Sequence, residues 1–189
     1  MKTVIFDSAL TIDSPIGPIA LKSHDNAVVK VDLLGSATAR NVSNTASAAA
    51  GTATPPAKVL VEAAAQVRDF FAGKRKNFDF AVAYEGTDFQ RAVWVEIAKV
   101  GFGEAITYAE IARRIGNPAA VRAVGGAVGS NPVPLVVGCH RILGAGDRIT
   151  GYSGGDGLPT KRWLLAHEGI TYRDVPEVRR DAETPLKIE

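Results

Sequence analysis

The sequence predicts an α/β protein with a sheet-forming first segment, one helix against it, and a mostly helical C-terminal half. Three observations carry this. Residues 3–34 alternate apolar stretches with turn signals, the pattern of short half-buried strands. Leu60, Ala64, Val67 and Phe71 recur at helical spacing, which puts them on one face. From residue 87 onward, Thr87 with Gln90 and Thr107 with Glu110 each form a Thr followed three residues later by an acid or amide, the signature of a helix start.

The elements follow in order. Thr3–Thr11, Ile16–Lys22 and Ala27–Leu34 read as three strands, with turns at Ser14-Pro15-Ile16-Gly17-Pro18 and His24-Asp25-Asn26. Residues 36–54 are almost all Ser, Ala, Thr, Asn and Gly. They offer nothing large to bury, so a flexible loop is expected. A helix is predicted from Ala57 to Phe71, stopped by Gly73, and a further strand from Asn77 to Tyr84. Glu85-Gly86 is the expected boundary between an N-terminal α/β domain, 1–84, and a C-terminal domain, 86–172. The polar stretch 173–189 is expected to be a mobile tail.

In the C-terminal half a helix is predicted to run from Thr87 to about Val100, burying Phe89, Val93, Ile97 and Val100 with Trp94 beside them. A short helix, Tyr108–Ile115, ends at Gly116-Asn117-Pro118, and another begins at Pro118 or Ala119 and runs to about Gly129. Two short helices joined by a tight Gly-containing turn fit a helix-turn-helix, although an ordinary helical corner is commoner. The second helix carries a single long polar side chain, Arg122, among Ala, Val and Gly. It therefore cannot read much base sequence, since reading needs several such side chains. It suits close backbone approach to a duplex, with Arg122 projecting. Close packing inside the protein would equally explain its glycines. A last helix is predicted over Thr160–His167.

Composition narrows the classes. The 189 residues carry 22 basic and 20 acidic side chains, a net charge of +2, too balanced to announce a nucleic-acid partner by field alone. A single cysteine cannot form an internal disulfide, so no oxidising compartment is indicated. No apolar run reaches membrane-spanning length, and residues 1–7 lack the apolar core of a signal peptide. A cytoplasmic protein is expected, near the nucleoid in a bacterium or nuclear in a eukaryote.

The chemistry is expected at Val136-Val137-Gly138-Cys139-His140-Arg141-Ile142-Leu143. The sole cysteine is followed directly by a histidine, and a neighbouring imidazole can lower the cost of forming the reactive thiolate. A lone Cys-His pair is more often a buried small hydrophobe beside a structural histidine. Gly151-Tyr152-Ser153-Gly154-Gly155 is flexible backbone able to wall a pocket, or else a plain surface loop.

These residues and their order resemble the O6-alkylguanine-DNA alkyltransferases. The resemblance spans Gly86 to Gly169 almost without gaps. It rests on Gly86-Thr87-Asp88-Phe89-Gln90, Thr107-Tyr108, Ile115-Gly116-Asn117-Pro118, Arg122-Ala123-Val124-Gly125, Asn131-Pro132, Cys139-His140-Arg141, Gly151-Tyr152-Ser153-Gly154-Gly155 and Leu164-Leu165-Ala166-His167-Glu168-Gly169. Thr11–Gly17 resembles the family's start more weakly. The resemblance implies an RNase H-like N-terminal α/β domain and a winged-helix-like C-terminal domain. It implies single-turnover repair, in which an O6-alkylated guanine, or an O4-alkylated thymine, is flipped from duplex DNA and its alkyl group moved to Cys139.

By the same resemblance, His140 would take the thiol proton through a water, Glu168 would orient His140, and Tyr108 would donate to the leaving guanine. Arg122 would fill the gap in the stack, and Asn131 would link the DNA-binding helix to the active-site turn. Tyr108, Val128, Asn131, Tyr152 and Ser153 would form the base pocket. Gln90, Tyr108, Ala109, Asn117, Arg122, Ala123 and Gly126 would meet DNA, without sequence specificity. No cofactor, metal or membrane is implied. A monomer is expected, with cooperative binding along DNA left open. The chain departs from the family pattern at Gly138, where the family has Pro, which leaves the φ of that turn unfixed. Two other functions stay open at this point: a non-enzymatic lesion-binding protein that flags damage, and a sequence-specific regulator, against which the Ala/Gly-rich helix argues.

Overall fold

The computed structural model describes residues 5–36 and 55–174. The expected loop over residues 37–54 and the tail from 175 onward lie outside them. Strands β1 (Ser8–Ile12), β2 (Ile19–His24) and β3 (Ala27–Leu33) form an antiparallel sheet in sequence order. The β2–β3 hairpin closes through Asp25 and Asn26, with φ of 47° and 59°. Two consecutive positive angles define the turn whose twist matches a hairpin, and short polar side chains tolerate them best.

Helix α1 (Lys58–Phe71) packs on this sheet through Val59, Leu60, Ala63, Ala64, Val67 and Phe70. The buried stripe is rotated slightly from the predicted one: Phe70 is fully buried and Phe71 only half-buried. The strand expected over Asn77–Tyr84 does not form. That segment makes one parallel bridge, Val82 with Val28. A side chain replaces the rest of the ladder: Gln66 accepts from the Asp79 N–H at 3.0 Å and its amide donates to the Asp79 carboxylate. Phe78 turns into the aromatic packing, 5.5 Å from Phe70 between ring centres.

Helix α2 (Asp88–Ala98) opens on a full capping box, with Gln90 N–H donating to Thr87 Oγ1 at 3.2 Å and Thr87 N–H to Gln90 Oε1 at 2.9 Å. Two-residue strands β4 (Ile106–Thr107) and β5 (Ile142–Leu143) pair in parallel. Helix α3 (Tyr108–Arg114) has only half of the second expected box. Thr107 accepts from Glu110 N–H at 3.1 Å, but the Glu110 carboxylate turns outward to Arg113 and Arg114. Two guanidiniums outbid one backbone N–H for the same carboxylate. A short 3₁₀ turn, Pro118–Ala120, precedes helix α4 (Val121–Gly129), so the expected continuous helix is two pieces. Trp94 on α2 donates to Ala127 O at 2.8 Å and locks α4 in place. Helix α5 (Leu158–His167) starts two residues earlier than predicted, with Pro159 in its first turn, where a missing N–H costs nothing.

The two halves share one hydrophobic core that runs from Ile12 and Leu21 through Val31 and Leu33 to Val128, Leu135 and Cys139. Backbone bonds stitch them: Val31 N–H donates to Pro132 O and Gly155 N–H to Leu33 O, each at 2.9 Å. The start of the expected tail is also held. Arg173 exchanges backbone bonds with Asp147 and Ile149, and Asp174 pairs with Arg162.

Candidate active site

Cys139 is presented by a tight turn. Gly138 has φ −68° and ψ 60°, and Cys139 N–H donates to Val137 O at 2.7 Å, which is an inverse γ-turn. That φ is the one a proline ring would impose, so the angle left unfixed by the glycine falls in the range of the expected proline. A Cβ at this position would lie 3.0 Å from the Arg141 side chain. Asn131 braces the turn from the end of α4. Its Nδ2 donates to Val137 O at 2.7 Å and its Oδ1 accepts from Val133 N–H at 3.1 Å.

His140 is wholly buried, and its Nε2 lies 2.7 Å from Glu168 Oε1. An ionised carboxylate only accepts, so Nε2 carries the hydrogen and Nδ1 keeps a bare lone pair. Nδ1 is itself buried and has no hydrogen-bond partner among the described residues. Glu168 also accepts from Arg141 Nε at 2.9 Å, Arg141 Nη2 at 3.0 Å and Gly103 N–H at 3.1 Å. Burial pushes the Glu168 carboxyl up, but the bonds from His140 and Arg141 outweigh it and hold it at about 2. Burial pushes His140 down, against the pull of Glu168. His140 is thus held neutral, with a free lone pair on Nδ1.

Burial pushes the Cys139 thiol up, and Asn131, Tyr152 and the Lys161 ammonium only partly offset this. The free protein holds a protonated thiol beside a neutral base.

Cys139 is 6% exposed. It forms the floor of a cavity of about 270 Å³ lined by Tyr108, Gly125, Val128, Gly129, Cys139, Gly151, Tyr152 and Ser153. Tyr152 Oη lies 3.9 Å from Cys139 Sγ. Thr150 Oγ1 donates to Tyr108 Oη at 3.3 Å. Burial holds Tyr108 above the usual phenol range, so it keeps a proton to give. Ser153 is exposed and donates to Gly129 O at 3.1 Å. Tyr108, Val128, Tyr152 and Ser153 therefore meet Cys139 at this cavity, whereas Asn131 lines the neighbouring one and His140 and Glu168 pair in the interior.

Of the residues expected to meet DNA, Tyr108 lines the cavity and the other six do not. Arg122, Ala123 and Gly126 are exposed on the outer side of α4, and Asn117 and Ala109 are exposed beside them on the turn and α3. Gln90 is engaged within the protein, in the capping box and with Ser130 Oγ at 3.0 Å. A Cβ added at Gly125, Gly126 or Gly129 would meet nothing within 4 Å. Internal packing therefore does not account for the glycines of α4, and what they leave is free space on its outer and cavity sides.

Two contributors went unnoticed in the sequence. Arg141 supports Glu168, and its Nη1 donates to Val100 O at 2.6 Å. Lys161 is fully buried. Its Nζ donates to Ile142 O at 2.6 Å and lies 3.4 Å from Thr150 O, and burial lowers it to about 8. The available signal was a lysine on the same helical face as Leu164, Leu165 and Glu168, where an apolar residue belongs.

A helix-turn-helix set against a cavity with a thiol at its floor, and a buried histidine next to that thiol in the chain, is an arrangement that can hold DNA and present a cysteine to it. The profile of the 6-O-methylguanine DNA methyltransferase DNA binding domain matches residues 88–170, and that of the family's ribonuclease-like domain matches residues 9–84. A methylated-DNA–protein-cysteine methyltransferase of Methanosarcina acetivorans is 39% identical over 157 residues, 83% of this chain and 95% of its own. The crystal structure of Mycobacterium tuberculosis O6-methylguanine methyltransferase superposes with a TM-score of 0.69 at 37% identity, covering 85% of this chain and 92% of that one. The same mycobacterial protein in complex with DNA also gives 0.69, at 38% identity over 84% and 90%. The chain belongs to this family of methylated-DNA–protein-cysteine methyltransferases.

Proposed function

We propose that the protein repairs O6-alkylguanine, and O4-alkylthymine, in duplex DNA by moving the alkyl group irreversibly to Cys139, one group per molecule. The single observation that carries this is the placement of Cys139 at the floor of an open cavity whose rim is the small-residue helix α4. Only a base taken out of the stack can bring its O6 substituent to that floor. Flipping costs a few kcal/mol, least for a weakly paired damaged base, which favours lesions. Arg122 takes the place of the flipped base, and the lack of other base-reading side chains on α4 makes binding independent of sequence. In this reading residues 86–172 hold DNA and accept the alkyl group, while residues 1–84 support them. The protein acts as a monomer, in the compartment of the genome; among the described residues no helix is long and apolar enough to cross a membrane.

The proton leaves Cys139 Sγ for His140 Nδ1, through a water, as sulfur attacks the sp³ carbon. The carbon–O6 bond breaks and its electron pair stays on guanine. Tyr108 shares its phenolic proton with the departing anion, and the proton now on His140 completes the count. In-line placement of thiol and carbon supplies much of the acceleration. Incubation with a duplex bearing one O6-methylguanine is expected to add a single methyl mass to the peptide containing Cys139. A protein that binds this duplex yet gains no mass would falsify the proposal.

A further inference from the structure

The wall of the cavity over residues 151–157 is intrinsically loose. Four of its seven residues are glycine, and Gly155 and Gly157 have φ of 56° and 74°. Tyr152 and Ser153 line the cavity above Cys139, and together with Cys139 and Asn131 they also line a second one, of about 130 Å³, bounded by Val31, Asp32 and Leu33 of β3. Something must hold this wall, because a base stacked against a wandering surface loses the benefit of a preformed site.

The holding contacts come from the N-terminal half. Beyond β3, the backbone N–H of Ser36 points at the Asp156 carboxylate, 3.0 Å from Oδ1 and 3.1 Å from Oδ2. Asp156 N–H is fixed in turn by Thr160 Oγ1 at 2.9 Å, at the start of α5. Gly155 N–H reaches Leu33 O. The approach is close enough that a Cβ on Gly35, whose φ is 71°, would fall 2.6 Å from Asp156 Oδ1. Asp156 is thus a clasp between the end of β3, the cavity wall and α5.

We propose that Asp156 is a positioning residue: by gripping the Ser36 N–H it orders the 151–157 wall and so sets the affinity for the flipped base without touching the reacting atoms. This rests on the reading of that cavity as the base site. The test compares the parent with D156A and D156N. Asn keeps one oxygen to accept the Ser36 N–H; Ala keeps none. Two readouts are needed. In backbone amide exchange, D156A is expected to speed exchange across residues 151–157, and D156N to restore it, with thermal melting by circular dichroism confirming that all three are folded. In transfer from an O6-benzylguanine duplex, D156A is expected to raise the half-saturating concentration about fivefold, the order expected for one exposed charge-assisted hydrogen bond, while the limiting rate stays within about twofold. D156N should resemble the parent.

Unchanged exchange in D156A overturns the clasp whatever happens to transfer. So does an equal fall of limiting rate and affinity in D156A, or a D156N as defective as D156A. Altered exchange in a protein whose parent transfers no alkyl group overturns the base-site reading, and with it the role in affinity.

Discussion

Glu168 shows how one carboxylate serves both the fold and the chemistry. It fixes the tautomer of His140 and neutralises Arg141 in the same buried place. Its carboxyl sits at about 2 when folded, against an ordinary 4.5. A depressed folded value means stability that is fully present above about pH 4.5 and is lost as pH falls through about 2. Glu168→Gln is expected to flatten the loss of stability over that acid window, as measured by denaturant titration at several pH values. It also leaves a buried guanidinium unpaired, a change that costs about 3–5 kcal/mol. At neutral pH the same variant should slow transfer by roughly a hundredfold, because His140 becomes a weaker base. An undiminished single-turnover rate would remove His140 from the proton path. At this scale the sequence was legible where residues are neighbours in the chain, as with Cys139 and His140. It was illegible where the partners are far apart. Nothing local says that Glu168, rather than another acid, closes on His140, and only the family resemblance singled it out. Arg141 and Lys161 are charged side chains buried by tertiary packing, which local pattern cannot reveal.

The elements that matter most are α4 and the segment over residues 77–84, and they teach opposite lessons. The Ala/Gly content of α4 could be read directly as unsuited to base reading, and the structure removes the competing explanation by leaving open space beyond Gly125, Gly126 and Gly129. With Arg122 exposed and its neighbours small, Arg122→Ala is expected to weaken base flipping more than association. On a duplex carrying 2-aminopurine opposite the lesion site, the fluorescence rise should fall by about tenfold while the affinity for undamaged DNA drops by only about twofold, the share of one phosphate-seeking cation among several. Equal losses would deny Arg122 its place in the stack. By contrast, the alternation over residues 77–84 looked like a strand, but a glutamine on α1 takes the Asp79 N–H and only Ala81 and Ala83 pair with the sheet, at Val28. Side-chain competition for backbone groups is invisible in a pattern of apolar and polar letters. The half-formed capping box at Thr107 fails for a related reason, since Arg113 and Arg114 were present in the sequence but their preference for Glu110 is set by the exposed face they share.

For the whole molecule, the division into a sheet-bearing half and a helical half was legible because each has its own hydrophobic period. Their continuity was not. Strand β3 contributes to a core that extends to Val137 and Cys139, and its edge bonds to Pro132 and Gly155 tie it to the segments before and after Cys139. The Cys139 sulfur is therefore a member of the core as well as the floor of the cavity. On the proposed reading, transfer leaves an added carbon on that sulfur, against the Asn131 and Tyr152 side chains bonded to it, and crowding a packed side chain costs about 1–3 kcal/mol. The spent protein is expected to melt several degrees below the unreacted one, as read by calorimetry before and after stoichiometric reaction. Each repair event would then leave its own record: a used copy differs from a fresh one in how readily it opens, and a protease that samples opening can sort the two without any dedicated mark.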